Sequence, residues 1–130
     1  MMKPFVFAIL ALSVVGCDSS TDPTGPSLNE EFTLQFGQTV TLKNEPLTIT
    51  FKSVLEDSRC PTGAECPWEG NARILIQISQ TDIELNTTLE PKQATYQAYT
   101  IRLVAVEPYP ILNEEIEPED YSIKIIVTRN

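Results

Sequence analysis

From Glu31 onward the dominant pattern is apolar residues at every second position, in runs bounded by Gly, Pro and Asn. A period of two sends successive side chains to opposite faces of an extended backbone, so each such segment reads as a strand with one face to bury. Phe32, Leu34 and Phe36 alternate with Thr33 and Gln35, and Val40 and Leu42 resume the pattern after Gly37-Gln38. After the break at Asn44-Glu45-Pro46, Leu47, Ile49 and Phe51 alternate with Thr48, Thr50 and Lys52. Residues 72–78 form a richer strand, expected to be central, and residues 82–89 hold Ile83 and Leu85 with Asn86 as a turn residue. Residues 99–106 and 121–127 complete the set. No window of ten or more residues carries a 3.6-residue period. The expected fold is therefore all-β: one antiparallel β-sandwich of about seven strands with Greek-key-like connections, a small closed barrel being the alternative. At 130 residues there is no room for a second sizeable core. The isoleucines, valines and aromatics read as core, each side chain stabilising by about 1.5–3 kcal/mol when buried.

The N-terminus has a different pattern. Lys3 precedes a nearly uninterrupted apolar run over residues 5–15, which fits the core of a secretory signal peptide and is short of the ~20 residues that span a bilayer. A polar stretch rich in Pro, Gly and Ser follows from Asp18 to Ser27, too poor in apolar area to offset its ordering entropy. At the junction, Val14-Val15-Gly16-Cys17 resembles the lipobox of bacterial lipoproteins. The resemblance implies cleavage before Cys17, a diacylglycerol on its sulfur and a further acyl chain, such as palmitate, on its amine, anchoring the domain to a membrane. Stable anchoring takes two signals, and three chains exceed that. The expected division is residues 1–16 signal peptide, 17–29 lipidated cysteine and flexible tether, and 30–130 β-sandwich. Asp18 beside the cysteine is read in some Gram-negative groups as inner-membrane retention, a rule that varies between groups. The outer membrane, on its periplasmic or surface face, is the favoured location. On the lipoprotein reading Cys17 takes the lipid, and Cys60 and Cys66 remain in an exported domain. Outside a reducing cytosol these two are expected to pair, free thiols being the alternative.

The segment from Glu56 to Asn71 is long for a connection and is flanked by strands. Pro61 and Pro67 follow the cysteines, and Gly63 and Gly70 permit turns closed to other residues. Asp57-Ser58-Arg59-Cys60-Pro61 followed by Cys66-Pro67-Trp68-Glu69-Gly70 resembles a motif of bacterial cell-envelope lipoproteins that carry one β-domain and no assigned activity. Two roles are open. As a clasp, Trp68 caps one end of the sandwich while Arg59 pairs with Asp57 or Glu69 or stacks on the indole. As a binding surface, the rigid ring offers Arg59, Trp68 and Glu69, residue types that include frequent interface hot spots. In the second case residues 59–70 act as a ligand-binding module or, through preorganisation, as a protease-inhibitor loop.

Residues 107–120 carry six acids and no base, with three prolines that favour a turn-rich loop over a helix. Glu114, Glu115, Glu117, Glu119 and Asp120 form a weak Ca²⁺ candidate, lacking any EF-hand spacing. A solvated acidic loop is the favoured reading. The net charge of −9, or −10 once Lys3 is cleaved away, argues against a nucleic-acid partner. The absence of histidine removes Ser-His-Asp and Cys-His catalysis and imidazole-based metal sites. Carboxylate pairs such as Glu114-Glu115 leave glycoside hydrolysis formally open, but nothing places two carboxyls across a cleft. The chain is therefore expected to have no catalytic residue and no cofactor. Its expected role is non-catalytic protein interaction or structure in the envelope, with an envelope protein as partner.

Overall fold

A computed structural model describes residues 24–130. Eight strands form in chain order: β1 (Glu31–Gln35), β2 (Thr39–Thr41), β3 (Thr48–Asp57), β4 (Ala72–Ile78), β5 (Thr81–Asn86), β6 (Gln93–Tyr96), β7 (Tyr99–Glu107) and β8 (Ser122–Arg129). They make two antiparallel four-stranded sheets, ordered β1-β8-β7-β6 and β2-β3-β4-β5. The sheets pack face to face without closing into a barrel, so the sandwich is the architecture adopted. Every paired strand is also a sequence neighbour except β1, which returns to β8. The connectivity is thus a meander wound once around, and Greek-key character is confined to that last pairing. Among the described residues there is no α-helix, only a single 3₁₀ turn at Pro118–Asp120 inside the acidic loop.

The alternation read from the sequence is the alternation buried. In β4, Ala72, Ile74, Ile76 and Ile78 point inward, while Arg73, Leu75 and Gln77 stay on the outer face. Ile49, Phe51 and Leu85 join them from the same sheet, and Leu34, Ile101, Leu103, Ile123, Ile125 and Val127 meet them from the other. Irregularities between Phe51 and Ser53, between Val54 and Glu56, and between Leu103 and Ala105 shift the register. Such bulges bend a strand and re-aim its side chains, and β3 runs through them to Asp57. Phe36 stays 40% exposed yet meets Phe51 edge-on.

The two ends of the sandwich differ. The chain enters β1 at what we term the base end, which also holds the start of β3, the start of β7 and the end of β8. The loops 58–71, 87–92 and 108–121 lie at the opposite, loop end. Signal peptide, lipobox and Cys17 fall outside the described residues. The later part of the expected tether does not: Lys43 N donates to Pro26 O (2.7 Å), Asn29 N donates to Val127 O (2.8 Å), and Leu28 packs against the core. At Gly25 a Cβ would stand 1.9 Å from Thr41 O, so the chain already lies against the domain there.

Candidate functional site

At the loop end, the connection from β3 to β4 begins as a continuation of their ladder. Ser58 N donates to Asn71 O (2.8 Å) and Cys60 N to Glu69 O (2.9 Å). Gly70, with φ of +77°, lets the strands approach: a Cβ there would fall 2.0 Å from Ser58 O. Beyond this neck, Cys60 and Cys66 are disulfide-bonded. The ring is docked on the acidic loop by a short parallel bridge, Thr62 N donating to Pro110 O (2.9 Å) and Leu112 N to Thr62 O (3.0 Å). The two most distinctive loops of the sequence therefore form one unit.

Arg59 holds that unit to the sandwich. Its guanidinium is buried and donates twice to the Asp57 carboxylate, Nε to Oδ1 and Nη2 to Oδ2, both at 2.8 Å. Nη1 donates to Val106 O (2.6 Å) and Nη2 to Pro108 O (3.0 Å), reaching across to the opposite sheet and the start of the acidic loop. Tyr121 Oη donates to Asp57 Oδ2 (2.8 Å). The Tyr109 ring lies 5.1 Å from Arg59 Cζ, and its hydroxyl donates to Cys60 O (2.8 Å). Burial alone would push the Asp57 carboxyl up, but hydrogen bonds from Arg59 and Tyr121 and the charge of Arg59 together hold it below its ordinary value. Burial, then the hydrogen bond to Asp57, pushes the Tyr121 phenol up to about 12.

A second polar lock lies beside it. Asn71 Nδ2 donates to Asn86 Oδ1 (2.9 Å), and Asn71 Oδ1 accepts from Thr88 N and Leu89 N (3.0 and 3.1 Å). Asn86 Nδ2 donates to Pro91 O (3.2 Å). Both amides are buried, and together they fix the turn after β5 against the neck of the disulfide loop.

The sequence-predicted site residues are divided by this arrangement. Arg59 pairs with Asp57, the first partner expected for it, and stacks on Tyr109 rather than on the indole. It belongs to the frame, because its charge is matched inside the fold. Trp68 is 50% exposed and does not cap the sandwich. Glu69 is exposed and lines a cleft of about 250 Å³ with Arg59, Thr87, Thr88, Glu107 and Tyr109. A smaller cleft of about 130 Å³ lies between Tyr109, Pro108, Ile111 and Ile116, with Glu114, Glu115 and Asp120 around it. Glu117 and Glu119 are exposed nearby. No three acidic side chains among the described residues come together in a way that could hold a metal ion, so the Ca²⁺ candidate gains no geometry. Tyr109, Tyr121, Asn71, Thr87 and Thr88 were not singled out by sequence reasoning. Tyr109 stood visibly between Pro108 and Pro110, the only local signal available.

The outcome is a rigid platform with apolar groups on top. Trp68, Leu89, Tyr109, Ile111 and Leu112, five of the seven large apolar residues left exposed among the described residues, sit on these loops. Compared with known proteins, the chain matches no family model, no curated protein and no solved structure.

Proposed function

We propose that this is a lipid-anchored cell-envelope domain, tethered through Cys17 at its base end, that presents its loop end to a partner protein and acts without catalysis. The observation that carries this reading is the opposition of the two ends. The chain reaches the fold at Gly25 and Pro26 on the base, while exposed Trp68, Tyr109, Ile111 and Leu112 stand on the locked loops opposite. Residues 18–24 reach at most ~28 Å between anchor and domain, at ~3.5 Å per residue. A membrane-bound molecule would therefore stay within that distance of its anchor, with this surface on the side away from the tether. The outer membrane is the favoured site.

The inhibitor reading of residues 59–70 has less support. A loop that inhibits a protease by strand-like insertion needs free backbone, and Thr62 already spends its N–H and C=O on the acidic loop, as Cys60 N does on Glu69. The test is a photo-crosslinking amino acid placed at Trp68 or at Lys43 in cells producing the full chain, with Cys17→Ser as a companion. One discrete adduct at Trp68, none at Lys43, and loss of Cys17→Ser from the membrane fraction are expected. Adducts at Lys43 alone would overturn the orientation.

A further inference from the structure

The charge of the chain is not spread over its surface. Residues 56–71 and 107–120 hold ten of the eighteen acidic residues and one of the nine basic ones, leaving eight of each sign elsewhere. A formal charge equal to the chain's whole −9 therefore resides in these two segments, the loops that the Thr62 bridge and Arg59 join together with the strand ends leading into them. The one base among them, Arg59, is buried on Asp57 and adds no cation to the surface. Among the described residues no ion pair involves Glu69, Glu107, Glu114, Glu115 or Asp120.

Within this field lies a cleft of mixed character. Tyr109, Pro108, Ile111 and Ile116 give the ~130 Å³ space apolar walls, and the acidic residues Glu114, Glu115 and Asp120 line it as well. It is smaller than the ~300–1,000 Å³ of sites that enclose drug-sized ligands. It suits one long side chain with an aliphatic stem and a cationic head, which buries the stem and keeps the charge at the rim. An aromatic face beside such a head adds cation–π attraction. We infer that the Tyr109 cleft docks a lysine or arginine side chain from a basic segment of the partner protein. This deepens the proposed interaction role and rests on it. Long-range attraction to the acidic end speeds the encounter, and the cleft sets the register.

The test uses the full chain in a neutral detergent and fluorescein-labelled hexalysine, read by fluorescence anisotropy at low and moderate salt. Two triple variants remove equal charge while keeping shape: Glu114→Gln with Glu115→Gln and Asp120→Asn in the cleft, and Glu30→Gln with Glu31→Gln and Asp82→Asn at the base end. The wild type is expected to bind, with affinity falling as salt rises, and the cleft variant to lose at least about tenfold while the base-end variant loses less than about twofold. Equal losses in both variants, or no binding by the wild type, would overturn the inference. If the Trp68 adduct forms undiminished in the cleft variant and hexalysine does not compete with it, the interaction reading stands and the cleft assignment falls. Loss of the Trp68 adduct in the wild type itself would remove the interaction reading instead.

Discussion

Each end of the sandwich carries a tyrosine, a carboxylate and an arginine in contact, and the two clusters do opposite things. At the loop end, Asp57, Arg59 and Tyr121 are enclosed, and Arg59 also satisfies two backbone carbonyls on another sheet and loop. At the base, Tyr99 Oη donates to Glu45 Oε2 (2.6 Å), Arg129 donates to the same oxygen, and Arg129 Cζ lies 5.6 Å from the Tyr99 ring. There the arginine side chain is 54% exposed and reaches no distant carbonyl. The hydrogen bond from Tyr99 comes first in holding Glu45 below its ordinary value, with Arg129 adding to it against the effect of burial. Carboxylate and tyrosine are largely buried at both ends, so the arginine makes the difference: a structural rivet where it is enclosed, a latch where it is half in water. The distinction is dielectric and connectivity, not composition.

Removing the two arginines gives the sharpest contrast. Arg59→Met leaves Asp57 charged and enclosed and frees two carbonyls, so a loss of about 3–5 kcal/mol in urea unfolding is expected. Arg129→Met should cost only a minor fraction of that, because Arg129 is half in water and the buried Glu45 keeps its hydrogen bond from Tyr99. Equal losses would erase the distinction between rivet and latch. The disulfide comes next: Cys60→Ser with Cys66→Ser is expected to cost about 2 kcal/mol for a ring this small, measured by the same unfolding. A far larger loss would mean that the ring, rather than Arg59, holds the loop end.

pH separates the clusters by a third route. Asp57 and Glu45 have folded pKa values below their ordinary 3.8 and 4.5, so each contributes stability above those values that is lost as pH falls through the folded ones. Thermal midpoints should therefore decline in acid, and Asp57→Asn should flatten that decline. Tyr121 works the other way, its contribution being whole below the ordinary 10.0 and lost as pH rises through about 12. Absorbance titration at alkaline pH should show Tyr121 ionising late, at about 12, and Tyr121→Phe should remove that component, leaving Tyr99, which its hydrogen bond to Glu45 also raises. The smallest effect is Trp68→Ala, expected to shift stability by no more than about 0.5 kcal/mol because the ring is half in water. A large loss would restore Trp68 to a clasp role.

Strands with a full apolar stripe were legible in the sequence because one physical rule, burial of one face, wrote them. Ile74, Ile76 and Ile78 announce β4, and Ile123, Ile125 and Val127 announce β8. The eighth strand, β6, escaped because Gln93-Ala94-Thr95-Tyr96 is a short edge strand whose turn at Gln97-Ala98 has no Gly, Asn or Asp, though Gln97 takes φ of +52°. The end of β3 was obscured by bulges, which break the period of two around Lys52 to Glu56. The docking of residues 25–29 was missed since a Pro/Gly-rich segment can satisfy backbone groups without burying many side chains. For the site, the Arg59–Asp57 pair was within reach because it is local. Tyr121 on Asp57 and Asn71 on Asn86 join residues that only the sheets bring together, and no local spacing encodes them.

The pairing of the first strand with the last has a mechanical consequence. β1 and β8 run antiparallel through five residue pairs, Glu31 with Ile126 to Gln35 with Ser122, and both chain ends leave from the base. A pull between a membrane anchor and a partner gripping the loop end would act along β1, loading all of its rungs to β8 at once in shear. Tension of that kind is borne by the whole ladder together, whereas a pull across the strands would open it one rung at a time.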